Sequence, residues 1–212
     1  MAKPGKGILG GFSGKVGTVV GGTWNGIPYM RSLPTRSANR IPTFNQQVQR
    51  AKFTLAANLL RSFSSLIESS FQPVTGQTTR NVAFSNVLTN AIGGVYPNLM
   101  IDYALVLVSK GSLKKVVNPD VESHLPGKLK FTWTNDSGSG NAKASDKAIL
   151  VVYDEQFGDV IYTTEGANRS TGEAVIDVAF FSGKPVHTWI GFKSEDGRLM
   201  ADSSYTGMLS VL

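Results

Sequence analysis

The chain contains no cysteine, so neither a disulfide framework nor a thiolate metal site is open to it. Its two histidines, His124 and His187, leave little for imidazole chemistry. No run approaches the ~18 consecutive apolar residues of a membrane span. Lys3 and Lys6 are not followed by the roughly 7–15-residue apolar core of a secretory signal. The default expectation is therefore a cytoplasmic product, although virion packaging or export without a cleaved signal predicts the same sequence. No GxSxG elbow, H-E-x-x-H helix or EF-hand spacing of carboxylates occurs. Asp154-Glu155 and Glu195-Asp196 fall in predicted turns, and His124 in a proline-bounded SHLPG loop. The expectation is a protein that is not an enzyme, with no catalytic residue, no cofactor and no metal.

Acid is missing from one end. Residues 1–62 hold nine basic side chains and no acidic one, Glu68 being the first, while the remaining 12 basic and 15 acidic residues sum to −3. Such a split fits a nucleic-acid footprint, a basic arm that meets the acidic body of another copy, or a merely solvated basic face. At 212 residues, 41% hydrophobic and 17% charged, the chain is long enough and apolar enough for a real core.

The organising stretch is Gly14 to Pro34, GKVGTVVGGTWNGIPYMRSLP. Asn25-Gly26 is a strong hairpin signal, because a type I′ turn needs positive φ at both central residues. That turn sets Trp24 opposite Ile27, Gly22 opposite Tyr29 and Val20 opposite Arg31, with Tyr29 covering the bare backbone at Gly22. Pro28 cannot donate to a ladder, so its strand is expected at an edge or against another chain. A lone two-stranded hairpin is marginal in water and has to dock on something. Val20, Trp24, Ile27, Tyr29 and Arg31 are accordingly the candidate interface residues. The preceding glycine-rich residues 1–13 predict either a flexible tail or backbone packed closely against another surface. Gly5 to Gly10 match GxGxxG, but no strand precedes them, and Ser13-Gly14-Lys15 lack the flanking residues of a P-loop.

After a proline-punctuated basic linker, LPTRSANRIP, Thr43 and Gln46 read as a capping box. Val48, Leu55, Leu59 and Leu66, with Ala51, Ala56 and Phe63, then share one helical face. A second helix is predicted from about Asn81 to Ile92, closed by Gly93-Gly94. Met100 to Ser109 reads as a buried strand interrupted only by Asp102, and Leu113 to Val117 as a returning one. From Lys128 onward, short alternating segments separated by turn residues predict about seven antiparallel strands. Trp133 is expected in their core with Tyr205 beside it, and the core positions suffice in number for this part to fold alone. The fold class is mainly β with a helical middle: an N-terminal β-hairpin arm, two helices and an immunoglobulin/fibronectin-like antiparallel β-sandwich. The boundaries are residues 1–42 for the arm and linker, 43–118 for two helices and a strand, and 119–212 for the sandwich.

The segments GILGGFSGKVGTVVGGTW, MRSLPTR, QRAKF, AIGGVYPNLMIDYALVLVSKGSL and FKSEDGRLMADSSYTG resemble an uncharacterised family found in Bacteroidota. The resemblance spans nearly the whole length, is specific in the N-terminal motif, and implies no activity. The residues themselves predict a non-enzymatic structural or assembly protein, a homo-oligomer or polymer such as a filament, tube or virus-particle component, with the arm engaging neighbouring subunits. The alternative partner is nucleic acid: Phe12, Trp24 and Tyr29 would stack bases while Lys15, Arg31 and Arg36 hold phosphates.

Overall fold

The computed structural model describes residues 3–4, 10–24, 26–33 and 41–212. Asn25 of the expected turn, the GxGxxG stretch apart from Gly10, and most of the basic linker, including Arg36 and Arg40, lie outside the described residues. By contacts the chain divides into two units, 1–43 and 44–212.

The first unit is an antiparallel sheet of β1 (Lys3–Pro4), β2 (Phe12–Val16), β3 (Val19–Trp24) and β4 (Ile27–Ser32), in that order. The hairpin register is the one read from the sequence, Trp24 opposite Ile27, Gly22 opposite Tyr29 and Val20 opposite Arg31. The Tyr29 ring and hydroxyl come within 3.1 Å of where a Cβ on Gly22 would stand. Pro28 lies on β4, the sheet's edge. The arm has more strands than a hairpin because Gly17-Thr18 is a second two-residue turn, with Gly17 at φ +56° as its first central residue. β2 turns at Gly14, φ +110°, so that Phe12 packs on Gly21 and Gly11 on Pro28. Of the two expectations for residues 1–13, Gly11 and Phe12 take the close-packed one, against their own sheet.

In the second unit, α1 (Phe44–Ser62) buries Ala56 and Leu59 of the face its spacing predicts, with Val48, Ala51 and Leu55 half-buried, and buries Leu60 beside it. The chain breaks at buried Phe63 and resumes as α2 (Ser64–Ser70), with Leu66 and Ile67 inside. Thr78 caps α3 (Thr79–Asn86), its side chain accepting from the Asn81 N–H at 3.2 Å. A π-helical turn, Val87–Ala91, follows. Gly93-Gly94 do not cap it; they belong to a hairpin of β5 (Ile92–Val95) and β6 (Asn98–Ile101). The long strand expected over 100–109 stops at Ile101. Asp102 accepts from the Ala104 N–H at 3.1 Å and starts a tight turn. Beyond it Val106 and Val108 are buried without a ladder, and serines satisfy the backbone instead. Ser203 Oγ accepts from Val108 N–H at 2.9 Å and Ser70 Oγ donates to the Val108 carbonyl at 2.6 Å.

Seven strands complete the sandwich: β7 (Val117–Leu125), β8 (Lys128–Thr134), β9 (Lys147–Asp154), β10 (Asp159–Thr163), β11 (Glu173–Asp177), β12 (Pro185–Lys193) and β13 (Ser204–Ser210). They form antiparallel sheets β10-β9-β12-β13 and β11-β8-β7. The protein is thus mainly β, an antiparallel sandwich of immunoglobulin/fibronectin-like plan preceded by helices. β7 escapes a sequence reading because Pro119 and two register shifts interrupt its alternation. His124 lies on this strand and not in a loop.

Leu129, Phe131, Leu150, Val152, Ile190 and Phe192 fill the space between the sheets. The opposite face of β9 and β12 presents Ile149, Val151, Tyr153 and Trp189 to the helices, with Phe63 5.1 Å from Tyr153 and 6.0 Å from Trp189 between ring centres. The strands alone leave this face bare. A fragment of residues 119–212 is therefore expected to aggregate or bind a hydrophobic dye, and a monomeric fragment with a sharp thermal transition would contradict this.

A buried arginine ties the sandwich's loops together. Arg169 is fully buried, its guanidinium 3.9 Å above the Phe192 ring. Nη1 donates to Asp136 Oδ1 at 2.7 Å, Nη2 to the Lys114 carbonyl at 2.8 Å, and Nε lies 3.2 Å from buried Asp146. Burial raises the Asp136 carboxyl, but Arg169 and Lys114 outweigh it and hold the group below its ordinary value. Removing one partner of a buried pair leaves an uncompensated charge. Arg169→Ala should cost about 3–5 kcal/mol in urea unfolding, and a loss below about 1 kcal/mol would show that Asp136 and Asp146 find other partners.

Candidate functional site

Alternation along the arm puts side chains two residues apart on the same face, and cross-strand partners share it. Val20, Trp24, Ile27, Tyr29 and Arg31 therefore all lie on one face, joined by Lys15, which pairs with Val20 from β2. The structure brings the whole candidate set together. One end of the face is aromatic and aliphatic, Trp24 with Ile27; the other is basic, Lys15 and Arg31 flanking Val20. Trp24 is 69% exposed, Ile27 64% and Tyr29 45%. Met30, on the other face, is also exposed. Among the described residues of this unit Gly21 alone is buried. No described side chain of this unit is fully buried, Phe12, Val19 and Val20 being half-buried, whereas a stable sheet needs a second layer to pack on.

The second unit holds a constellation that the sequence reading left dispersed. On the helix-facing side of β9 and β12, His187 stands opposite Tyr153, two residues from Trp189. Its ring stacks on Tyr103 with centroids 3.9 Å apart and planes inclined by 24°. Nδ1 meets the Tyr205 hydroxyl at 2.8 Å, and Nε2 faces Glu155 Oε2 at 3.5 Å. The carboxylate beside Nε2 selects the tautomer with its proton there, leaving Nδ1 to accept from Tyr205. Trp189 Nε1 donates to the Tyr103 carbonyl at 3.3 Å. Tyr205 thus packs by His187 and Trp189, on the far side of the sheet from Trp133, where Phe192 is the neighbour instead. Aromatic residues and a histidine at odd positions of two paired strands, where aliphatics alternate elsewhere, were the available signal.

Burial holds His187 below its ordinary value, against the opposing pull of Glu155. Burial also raises the hydroxyls of Tyr103, Tyr153 and Tyr205 above theirs. At neutral pH the cluster is an uncharged aromatic stack with one carboxylate, Glu155, at its rim. No serine, threonine or lysine nucleophile is hydrogen-bonded to His187 in the contacts described. Among the described residues no group of three or more His, Asp or Glu is placed to hold a metal ion.

Two hollows adjoin this cluster and share Glu155 and Gln156. One, of about 700 Å³, runs between the end of α1, β6 and the β9–β10 turn, over Leu55, Leu59, Ile101, Tyr103 and Tyr153. The other, of about 270 Å³, is bounded by Asp154, Glu155, Pro185, His187 and Met208. Asp154 is buried at its rim, with Oδ1 accepting from the Gln156 N–H at 2.9 Å and Oδ2 3.3 Å from Lys184.

A base whose folded pKa lies below its unfolded value takes up a proton on unfolding. Stability is then full above the unfolded value, about 6.5 for histidine, and declines as pH falls below it. Urea midpoints should drop between pH 7.5 and 5.5, and the drop should shrink in His187→Phe. Equal drops in the two proteins would remove His187 as the cause.

The solution structure of the fibronectin type III domain of human collagen alpha-1(XX) chain is similar to this chain at 10% identity, over 49% of this chain and 90% of that one, with a TM-score of 0.36. No curated protein matches. The profile of a family of unknown function, DUF6266, matches residues 11–207. Among the described residues no helix is long and apolar enough to cross a membrane.

Proposed function

The chain belongs to this family of unknown function, DUF6266, and for it we propose a non-enzymatic structural role: a subunit that assembles through its N-terminal sheet into a homo-oligomer or polymer. The observation that supports this is the sheet whose only buried described residue is a glycine, with Trp24, Ile27 and Tyr29 open on one face. Trp, Tyr and Arg are the residue types that most often anchor interfaces, and all three stand on that face. A filament, tube or virus-particle component fits the plan, made in the cytoplasm or exported without a cleaved signal. The GILGGFSGKVGTVVG segment is then the family's assembly element, and Bacteroidota its proposed setting.

The second reading, nucleic-acid binding, draws on the same face, because Lys15 and Arg31 flank it and residues 1–62 hold no acid. The aromatic side chains are those a protein interface would bury, which favours assembly.

Trp24→Ala separates the readings. Trp24 is largely exposed in the single chain, so its loss should leave the circular dichroism spectrum unchanged. At an interface anchor the truncation should cost about 2 kcal/mol or more per contact, so light scattering should show a shift from assemblies towards monomer. A wild-type protein that stays monomeric at high concentration overturns the assembly reading. Submicromolar, strongly salt-dependent binding to DNA or RNA would put the second reading first.

A further inference from the structure

The larger hollow of the body, about 700 Å³, falls within the roughly 300–1,000 Å³ of small-molecule clefts. It lies wholly within residues 44–212, so what it binds is a separate question from what the arm does. Three aromatic residues line it: Tyr103, Tyr153 and, 62% exposed, Phe157. Each ring is held by a residue that does not line the hollow. Tyr103 stacks on His187 at 3.9 Å, Tyr153 lies 5.1 Å from Phe63, and Lys184 stands over the Phe157 ring at 4.6 Å. Rings fixed in this way lose little freedom when a ligand packs on them.

Polar side chains enter from two elements, Asn58 and Arg61 from the end of α1, Glu155 and Gln156 from the β9–β10 turn. Among the described residues the Asn58 and Gln156 amides and the Arg61 guanidinium have no partner, Gln156 using only its backbone N–H, on Asp154. Their hydrogen-bonding capacity is open to a ligand.

The chemistry of these groups narrows what that ligand is. A wholly apolar molecule would strip water from Asn58, Arg61 and Gln156 and return no bond, which costs free energy for every group left unpaired. An anion suited to Arg61 brings a like charge to Glu155, and a cation suited to Glu155 brings one to Arg61. A zwitterion meets both charges but offers nothing further to the two amides, and Glu155 already faces His187 Nε2 at 3.5 Å. Hydroxyl groups answer all four residues, because a hydroxyl both donates and accepts. They accept from Arg61, donate to Glu155 and do both with the amides. The aromatic rings ask in addition for an apolar C–H face, whose positive hydrogens meet the negative face of a ring. Neutral carbohydrates combine several hydroxyls with such a face.

We propose that the hollow between the end of α1, β6 and the β9–β10 turn binds a neutral carbohydrate, its C–H faces on Tyr103 and Phe157 and its hydroxyls on Asn58, Arg61, Glu155 and Gln156. Every polar group involved exchanges water for a hydroxyl, so the net gain per bond is small and the affinity is millimolar.

The test is saturation-transfer NMR on the full chain. Cellotriose, maltotriose, mannotriose and chitotriose in its N-acetylated form are the neutral probes, diglycine the zwitterionic one and hexanoate the apolar anion. The expected result is transfer to at least one trisaccharide and to neither of the other two probes. Asn58, Gln156 and Phe157 are exposed, so their truncation spares the fold, which circular dichroism checks. Phe157→Ala and the double variant Asn58→Ala/Gln156→Ala should each weaken trisaccharide binding at least about fivefold, the size of roughly one net hydrogen bond. Trp24→Ala, on the arm, should bind as the wild type does, whether or not it assembles, so this inference and the assembly reading fail independently. No transfer to any trisaccharide overturns the proposal. So does binding that survives both body variants or is lost in Trp24→Ala, because the sugar then sits elsewhere. Binding of diglycine or hexanoate alone, abolished by the body variants, gives the hollow to another ligand class.

Discussion

The body depends on one pair of strands being covered on both sides. Along β9 and β12, all but the end residues are buried. One face packs Leu150, Val152, Ile190 and Phe192 against the three-stranded sheet; the other packs Val151, Tyr153 and Trp189 against the helices. A sandwich of this size ordinarily buries one face of each sheet and wets the other. Here the helices take water's place over the four-stranded sheet, which makes residues 44–109 a third layer and not an appendage. Phe63, at the break between α1 and α2, sits where helix and sheet meet, and its ring contacts with Tyr153 and Trp189 join the two.

Much of this was legible in the sequence wherever a single period governed a segment. The α1 face, the Asn25-Gly26 register and the alternation Leu129, Phe131, Trp133 were each set by local geometry and came out as read. The misreadings arise where the backbone or a side chain is satisfied by a partner other than the one its local pattern suggests. Val106 and Val108 look like a strand because they are apolar, yet the Val106 N–H closes a tight turn on the Tyr103 carbonyl and the polar groups of Val108 go to Ser203 and Ser70. Gly93-Gly94 look like a cap, yet their partners are Met100 and Leu99. Arg169 sits in what reads as a turn, and nothing local reveals that Asp136, Asp146 and Phe192 enclose it. The five arm residues were legible as a set because a two-residue turn fixes their register; that they share a face with Lys15 required the turn at Gly17.

The His187 cluster shows how a polar group is tolerated against such a core. Its ring fills a slot between Tyr103, Trp189 and Tyr205 as an aromatic would, while each nitrogen has a partner, Tyr205 on one side and Glu155 on the other. A buried donor or acceptor left unpaired costs about 1–3 kcal/mol, so both partners matter to the stack. Glu155 has a second consequence: next to buried Asp154 yet itself mostly exposed, it sets a carboxylate at the mouth of a groove of mixed polar and apolar lining.

The two units therefore solve opposite problems. The body encloses its central strands β9 and β12 from both sides. The arm has four strands and, among the described residues, no fully buried side chain, and its close contacts, Tyr29 on Gly22 and Phe12 on Gly21, cover glycine backbone. Folding such a sheet orders about 30 residues at roughly 1–2 kcal/mol each in backbone entropy, and exposed Trp24, Ile27 and Met30 return little of it. Burial of that face against another surface would supply the missing term, at about 25 cal/mol per Å² of apolar area. An element with this imbalance would gain order and contact in the same step, so that under the proposed assembly the arm's own stability would depend on a neighbour.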